Sequence, residues 1–250
     1  MPVTGEERLK RRHLLDLLGE IKAADGEAGS LYLLPDCPSD EAAGLAARVP
    51  GLAEALPDLA GFLSAPTGAV VFWGEPYRLV VLPPFPVKEK AIFGGYTVEP
   101  LRLMLETEST IGIVLLRLGA YAVGVFDGEK LVSSKVGTGL VHARHRQGGS
   151  SAARFRRHRE KQAESFFSRV CGHMREHFES HLREMDYMVY GGEKFTLAAF
   201  QKECAFSGRL AQRVLPYRLD IRHPGQATLA AAIRQVWTGR VIRWQPPTGF

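Results

Sequence analysis

The stretch RQGGSSAARFRRHRE, residues 146–160, places two adjacent glycines among small polar side chains and arginines. Glycine adopts backbone angles that other residues avoid and has no side chain, so this tip can enter a narrow site. The polar side chains beside it could hold a water molecule, and backbone N–H groups could stabilise an oxyanion. The chemistry within reach is attack of a positioned water on an activated ester. The candidate catalytic residues are Gln147, Gly148, Gly149, Ser150 and Ser151.

Basic residues flank the glycine pair on both sides. Between positions 141 and 161, seven lysines and arginines stand against a single acid, Glu160. Such groups bind phosphates without reading a base sequence, and their affinity falls with salt. A charge run is also typical of a solvated helix face, and a glycine pair alone is typical of an ordinary turn before a helix. The candidate RNA-binding residues are Arg144, Arg146, Arg154, Arg156, Arg157, Arg159 and Lys161.

A long helix is predicted directly after the tip, from Ala152 to about Glu184. The segment has no proline and almost no glycine, and it would be about 45–50 Å long. Its large apolar residues recur at helical spacing, and the first of them is expected to anchor the start of the helix. These residues are Phe155, Phe166, Val170, Met174, Phe178 and Leu182.

The segments around this helix predict a mixed sheet. Three strands, TIGIVLLRL, AYAVGVF and KLVSSKV, form a meander that turns at Gly119 and at Asp127-Gly128. After the long helix come the strand DYMVY, the helix GEKFTLAAFQKECAF, the extended segment RVLPYRLDI and a helix from Gln226 to Trp237. The predicted fold class is therefore α/β, a ribonuclease-H-like mixed sheet with a long basic helix, preceded by a smaller N-terminal α/β region.

The N-terminal region is predicted to contain a helix over 6–24, a strand SLYLL, two short helices over 40–63 and the hairpin GAVVFW/YRLVVL. The proline-rich connection PPFPVKEK is the best candidate for a domain boundary. The expected domains are 1–86, the N-terminal α/β region, and 87–242, the domain that carries the glycine tip and the long helix, followed by a loose tail at 243–250.

Composition places the chain among ordinary globular proteins. It has 250 residues, a net charge of +5, 45% hydrophobic residues and 24% charged residues. The three cysteines are far apart and predict neither a disulfide framework nor a zinc module, which favours a reducing, cytoplasmic location. No signal peptide and no membrane span are expected. The positive charge indicates an anionic partner.

Three motifs give the chain a resemblance to a known family: VGVFDGEKLV in the meander, GGSSAARFRRHRE at the tip, and VYGGEK before the next helix. From Gly68 to Trp237 the chain resembles class I eukaryotic and archaeal peptide-chain release factors, and more narrowly the release-factor-like peptidyl-tRNA hydrolases of ribosome quality control. The family motif is Gly-Gly-Gln-Ser-Ala-x-Arg-Phe-x-Arg-x-Arg. Every fixed position matches except the glutamine, which falls on Ser150, or on Ser151 in the register of the quality-control hydrolases.

The resemblance implies that the tip enters the peptidyl transferase centre and places water against the ester of peptidyl-tRNA. The implied partners are the large ribosomal subunit and peptidyl-tRNA, with no DNA or membrane partner and no cofactor. No codon-reading motif of the family is found, which favours a codon-independent factor that releases stalled chains. Because Ser150 replaces glutamine, a non-catalytic ribosome- or tRNA-binding factor with a disabled tip is the main alternative.

A zinc hydrolase is a third possibility, from another class of enzyme. The sequence HMREH, residues 173–177, matches the H-x-x-E-H pattern of inverted zinc peptidases. His173 and His177 share one helical face, Glu176 could act as the base, and His181 extends the histidine stripe. No third ligand is obvious, and a histidine-rich exposed helix face explains the pattern equally well.

Overall fold

The computed structural model describes residues 3–24, 26–139 and 152–245. The chain divides into two compact units. The first combines Met1–Thr107 with Gln235–Phe250, and the second is Glu108–Arg234.

The first unit is built on a six-stranded antiparallel sheet of order β1-β11-β4-β3-β2-β5. Two helices lie on each face. The central strands are apolar on both sides because both faces are covered, whereas the first strand of the chain, at the edge of the sheet, is mostly exposed. The elements are β1 (Val3–Leu9), α1 (Arg11–Lys22), β2 (Ala28–Leu33), α2 (Ser39–Ala46), α3 (Leu56–Leu63), β3 (Ala69–Gly74), β4 (Arg78–Leu82), β5 (Ala91–Gly94), α4 (Glu99–Glu106) and β11 (Gly239–Trp244).

Alternation along β3 separates the two cores of this unit. Val71 and Trp73 face the cluster that contains the buried residues of α2 and α3. Val70 and Phe72 face the cluster that contains those of α1 and α4. Successive side chains of a strand point to opposite faces, so one apolar strand serves both cores.

The second unit is a five-stranded mixed sheet of order β10-β9-β6-β7-β8. Strands β6, β7 and β8 form the antiparallel meander, β9 is parallel to β6, and β10 is parallel to β9. This order confirms the predicted α/β class with a mixed sheet. The elements are β6 (Thr110–Arg117), β7 (Ala120–Asp127), β8 (Lys130–Thr138), α5 (Ala152–Phe178), β9 (Met185–Gly192), α6 (Lys194–Glu203), α7 (Ala205–Gly208), β10 (Val214–Leu219) and α8 (Gln226–Val236).

Two glycines have positive φ where this sheet needs them. Gly128, at φ 57°, makes the tight turn between β7 and β8 that the Asp-Gly dipeptide predicted. Gly192, at φ 133°, ends β9 where any Cβ would collide with the carbonyl oxygen of Leu116 on β6. The glycine therefore permits β9 to pair with β6 along its whole length.

The N-terminal helix predicted over 6–24 is wrong in its first part. Residues Val3–Leu9 form β1, and α1 begins only at Arg11. The two glutamates and the arginine of β1 are good helix formers, but β1 pairs with β11 and two ion pairs join the strands: Glu6 to Arg240 at 2.7 Å and Glu7 to Arg243 at 2.9 Å. Tertiary pairing overrides the local preference here.

The two units also divide the chain differently from the expected boundaries at 86/87 and 242/243. Beyond the proline-rich connection, β5 pairs with β2 and α4 shares a core with α1, so residues up to Thr107 belong to the first unit. At the other end, β11 pairs with both β1 and β4. Arg243 and Trp244 therefore lie in a strand of the sheet and not in a loose tail.

The cysteine prediction is wrong for two of the three residues. Cys171 of α5 and Cys204 at the end of α6 form a disulfide, with Cα atoms 5.4 Å apart and a sequence separation of 33. The two helices pack side by side, which brings distant cysteines together. Cys37 is free and buried in the first unit. Within the described residues, no helix has the length and apolar character needed to cross a bilayer.

Candidate nucleic-acid-binding site

The C-terminal half of α5 is anchored on the sheet of the second unit. Phe166, Val170, Met174 and Phe178 recur every four residues and are buried, as the sequence predicted. They share one core with Tyr121, Val123 and Val125 of β7. This packing fixes the direction of the helix, which ends at Phe178 and is therefore about 40 Å long, shorter than expected.

The N-terminal half of α5 continues past the end of the sheet. The Gly139 N–H donates to the Gly119 carbonyl at 2.9 Å, where β7 begins and β8 finishes. A Cβ on Gly139 would meet the side chains of Phe166 and Arg169, so this part of α5 lies level with the sheet end. Residues 152–165 extend further, by about 20 Å. None of the side chains described among them is fully buried, and Ala163 is partly buried against the core of the unit. We call residues 152–165 the basic arm.

Five of the seven candidate RNA-binding residues lie on the basic arm. Arg154, Arg156, Arg157 and Lys161 are exposed and Arg159 is half-buried. Arg156 faces Glu160 across 3.8 Å, with both side chains more than half exposed. Such an exposed pair contributes little, so the guanidinium stays available to an external phosphate.

The remaining candidates lie outside the described residues. These are the five candidate catalytic residues and two of the basic ones: Gln147, Gly148, Gly149, Ser150, Ser151, Arg144 and Arg146. The side chain of Phe155 also lies outside the described ones.

A group of ring contacts fixes α5 where it meets β7. Tyr121 packs edge-on against Phe166, with ring centroids 6.0 Å apart, and stacks on His173 at 5.7 Å. The Arg169 guanidinium lies 6.0 Å from the Phe166 ring centre. Burial raises the pKa of Tyr121, in keeping with a ring enclosed by the helix. These contacts hold the part of α5 from which the arm extends.

The two histidines of the HMREH pattern have different partners. His173 Nδ1 lies 3.1 Å from Glu176 Oε2, and this contact lowers the pKa of the Glu176 carboxyl. His177 Nδ1 lies 2.6 Å from the Ser133 hydroxyl. In the described part of the chain, no group of three or more histidine, cysteine, aspartate or glutamate side chains could hold a metal ion. The described residues therefore give the zinc hypothesis no third ligand.

The sheet end from which the arm extends carries further residues that the sequence patterns did not single out. Strand β6 ends at Arg117, whose Nη1 donates to the Arg222 carbonyl at 2.6 Å, just after β10. Helix α6 begins there with Lys194 and Phe195, both exposed. Only the fold brings these cations to one end, so no local pattern could have revealed them. Phe195 could have been noticed, because it lies off the buried stripe of α6.

The mixed sheet, the basic arm and the glycine motif together define a release-factor-like protein. The family model described as Actinobacteria/chloroflexi VLRF1 release factor (acVLRF1) matches residues 109–242, slightly more than half of the chain. The chain belongs to this family.

Archaeal relatives agree with this assignment. Peptide chain release factor subunit 1 of Methanobrevibacter smithii is 31% identical over 107 residues, which are 43% of this chain and 26% of that protein. The Thermococcus sibiricus protein of the same name is 26% identical over 159 residues, 62% of this chain and 38% of that one. The chain therefore spans less than two-fifths of the length of these relatives.

Two solved structures show a limited likeness to this chain. The archaeal translation termination factor aRF1 has a TM-score of 0.41 and 19% identity, covering 92% of this chain and 73% of that one. Archaeoglobus fulgidus Pelota has a TM-score of 0.33 and 12% identity, covering 94% and 65%.

Proposed function

We propose that this protein binds the large ribosomal subunit and peptidyl-tRNA in the cytoplasm and promotes hydrolysis of the peptidyl-tRNA ester without reading a codon. Stalled nascent chains would be released in this way. The observation that carries the proposal is the basic arm: an exposed, positively charged half-helix that extends beyond its own sheet and directly follows the glycine tip.

The distribution of charge around the arm suits a site enclosed by RNA. At 100° per residue, Arg154, Arg157 and Lys161 share one side of the helix, and Arg156 and Arg159 lie on the opposite side. A protein that binds a flat surface needs cations on one side only. Cations on both sides favour insertion between phosphates that line a cleft, where each contact adds salt-dependent affinity.

The proposed reaction needs few protein groups. Water attacks the ester carbonyl carbon, an oxyanion forms, and the C–O bond to the tRNA ribose breaks as the ribose oxygen takes up a proton. Backbone N–H groups of the tip would bind the oxyanion, and the Ser150 hydroxyl or the Gln147 amide would hold the water. Arg144 and Arg146 would bind phosphate on the entering side of the tip.

A second function is favoured by one observation, the serine at position 150 where the family motif has glutamine. In this alternative the arm binds the ribosome or tRNA and the tip has lost the chemistry. A backbone N–H serves as a donor whatever its side chain, so we place hydrolysis first.

The test is release of labelled nascent peptide from purified large-subunit complexes that hold peptidyl-tRNA. We expect the wild-type protein to release peptide and Ser150→Gln to release at least as much. Replacing Arg154, Arg156 and Arg157 together by Ala should weaken binding and flatten its salt dependence. A wild-type protein that binds but releases nothing, while Ser150→Gln releases peptide, would establish the non-catalytic alternative. Unchanged binding of the triple variant would refute the role of the arm.

A further inference from the structure

Phe195, in the first turn of α6, has an exposed aromatic ring and lies near the point where the basic arm extends from the sheet. We infer that Phe195 is a stacking site for an unpaired base of the RNA that the arm binds. This inference rests on the proposed function, because it takes the partner of the arm to be RNA. Stacking on Phe195 would add a contact to a base of the RNA, whereas the arm supplies contacts to phosphates.

The packing of α6 along α5 places Phe195 beside the arm. Helix α6 starts at the sheet end where β6 and β9 finish, α5 passes this end near Phe166, and the two helices run in the same direction. The rings of Phe167 on α5 and Phe200 on α6 lie 6.0 Å apart. Five residues back along each helix, about 7.5 Å of rise, lead to Gln162 and Phe195. Gln162 belongs to the C-terminal part of the arm, so Phe195 lies level with that part of the arm.

The Phe195 ring does not contribute to the core. It is 80% exposed, the highest value among the large apolar side chains of the described residues. The neighbouring Thr196, Leu197 and Phe200 are buried and hold the helix on the sheet. A single exposed apolar side chain is common on protein surfaces, so the inference depends on the fixed backbone and the charges around Phe195.

The backbone beneath Phe195 is well fixed. The Thr196 hydroxyl donates to Glu193 Oε2 at 3.0 Å across the first turn of α6. Just before it, Gly192 packs against the Leu116 carbonyl too closely for any other residue. A ring on a fixed turn loses little freedom when a planar partner stacks on it, which suits a stacking platform.

The charges nearby favour RNA over a protein partner. Lys194 is adjacent, Arg117 and Arg222 lie at the same sheet end, and Lys161 lies on the arm. These four cations outnumber the two acids of the same stretches, Glu193 and Asp220, and the Glu193 carboxylate already accepts from Thr196. An aromatic ring among cations is the combination by which proteins bind unpaired nucleotides. An apolar protein contact would instead combine Phe195 with Leu118, a 48% exposed residue of the β6–β7 turn.

The test measures binding of a short fluorescein-labelled single-stranded RNA by anisotropy at several salt concentrations. Phe195→Leu keeps an apolar side chain without a π face, and we expect it to lower affinity about tenfold with an unchanged salt slope. Phe195→Tyr should bind as the wild type does. Because the residue is exposed, all these variants should fold, and thermal unfolding checks this.

A tryptophan at the same position gives a direct signal. The three native tryptophans are buried in the first unit, so Phe195→Trp adds an exposed fluorophore to the second. Single-stranded RNA should quench it, while Leu103→Trp, at an exposed position of α4, should not respond. Wild-type affinity in Phe195→Leu would overturn the inference, whether or not Phe195→Ala and Leu118→Ala lose affinity. If the arginine triple variant loses RNA binding while Phe195→Leu keeps it, only this inference fails and the proposed function stands.

Discussion

At the scale of single residues, position 150 decides between the two proposed functions. A glutamine there would bring a side-chain amide to the water, whereas serine offers a shorter hydroxyl. The two glycines before it contribute no polar side chain; a glycine contributes backbone freedom and space. The two contributions can be separated by substitution.

We expect Gly149→Ala to lower the rate of peptide release about a hundredfold, because a methyl group restricts the backbone where N–H donors must be aimed. Ser150→Ala should cost little if those donors carry the reaction. The rate of release under single-turnover conditions measures both. A large loss in Ser150→Ala or Gln147→Ala would instead assign the water to that side chain.

At the scale of elements, α5 is held both by packing and by a covalent link. Its buried stripe lies on β7, and Cys171 joins it to Cys204 at the end of α6. Phe195 lies at the other end of α6, so the disulfide also ties the helix that carries the proposed stacking site to the helix that carries the arm.

Cys171→Ser should lower the free energy of unfolding of the second unit by about 2–4 kcal/mol, because the unfolded chain regains the freedom of a long loop. Denaturant unfolding followed by far-UV circular dichroism measures this. Reductant should have the same effect on the wild type and none on Cys171→Ser. Cys37→Ser, which removes the free cysteine of the first unit, should respond to reductant as the wild type does. A wild type that is equally stable with and without reductant would contradict the prediction.

Elements with strong local patterns were predictable from the sequence. The meander, its Asp-Gly turn and the buried stripe of α5 were found in this way, because alternation and helical spacing are local. Strand β1 was missed because its two glutamates and its arginine favour a helix and only pairing with β11 makes it extended. The length of the arm could not be predicted either, because only the position of Gly139 against Phe166 marks where the sheet ends.

At the scale of the whole molecule, tryptophan fluorescence can follow the folding of the first unit separately from that of the second. Trp73, Trp237 and Trp244 are buried there, and Trp73 packs on Trp244 with ring centroids 5.1 Å apart. The second unit contains none, so loss of tryptophan burial reports on the first unit alone.

We expect Ile242→Asp to unfold the first unit and leave the second one folded. Ile242 is fully buried in β11, and an unpaired carboxylate there costs at least about 4 kcal/mol. Tryptophan emission should shift to the red while the helical signal of α5 and the RNA affinity of the arm persist. Leu103→Asp, at an exposed site in the same unit, should change none of these. Loss of the helical signal together with tryptophan burial would mean that the units fold as one.

The strand order of the first sheet has a consequence for the order of synthesis. Strand β11 lies between β1 and β4, yet it is translated after the whole second unit. As the chain leaves the ribosome, β1 has no partner to bind and β4 has an open edge until residues 239–244 appear. Domains generally fold as they emerge, so the second unit can finish first although it begins later in the sequence. During translation of this protein, the unit that carries the basic arm would therefore be folded before the other unit is complete.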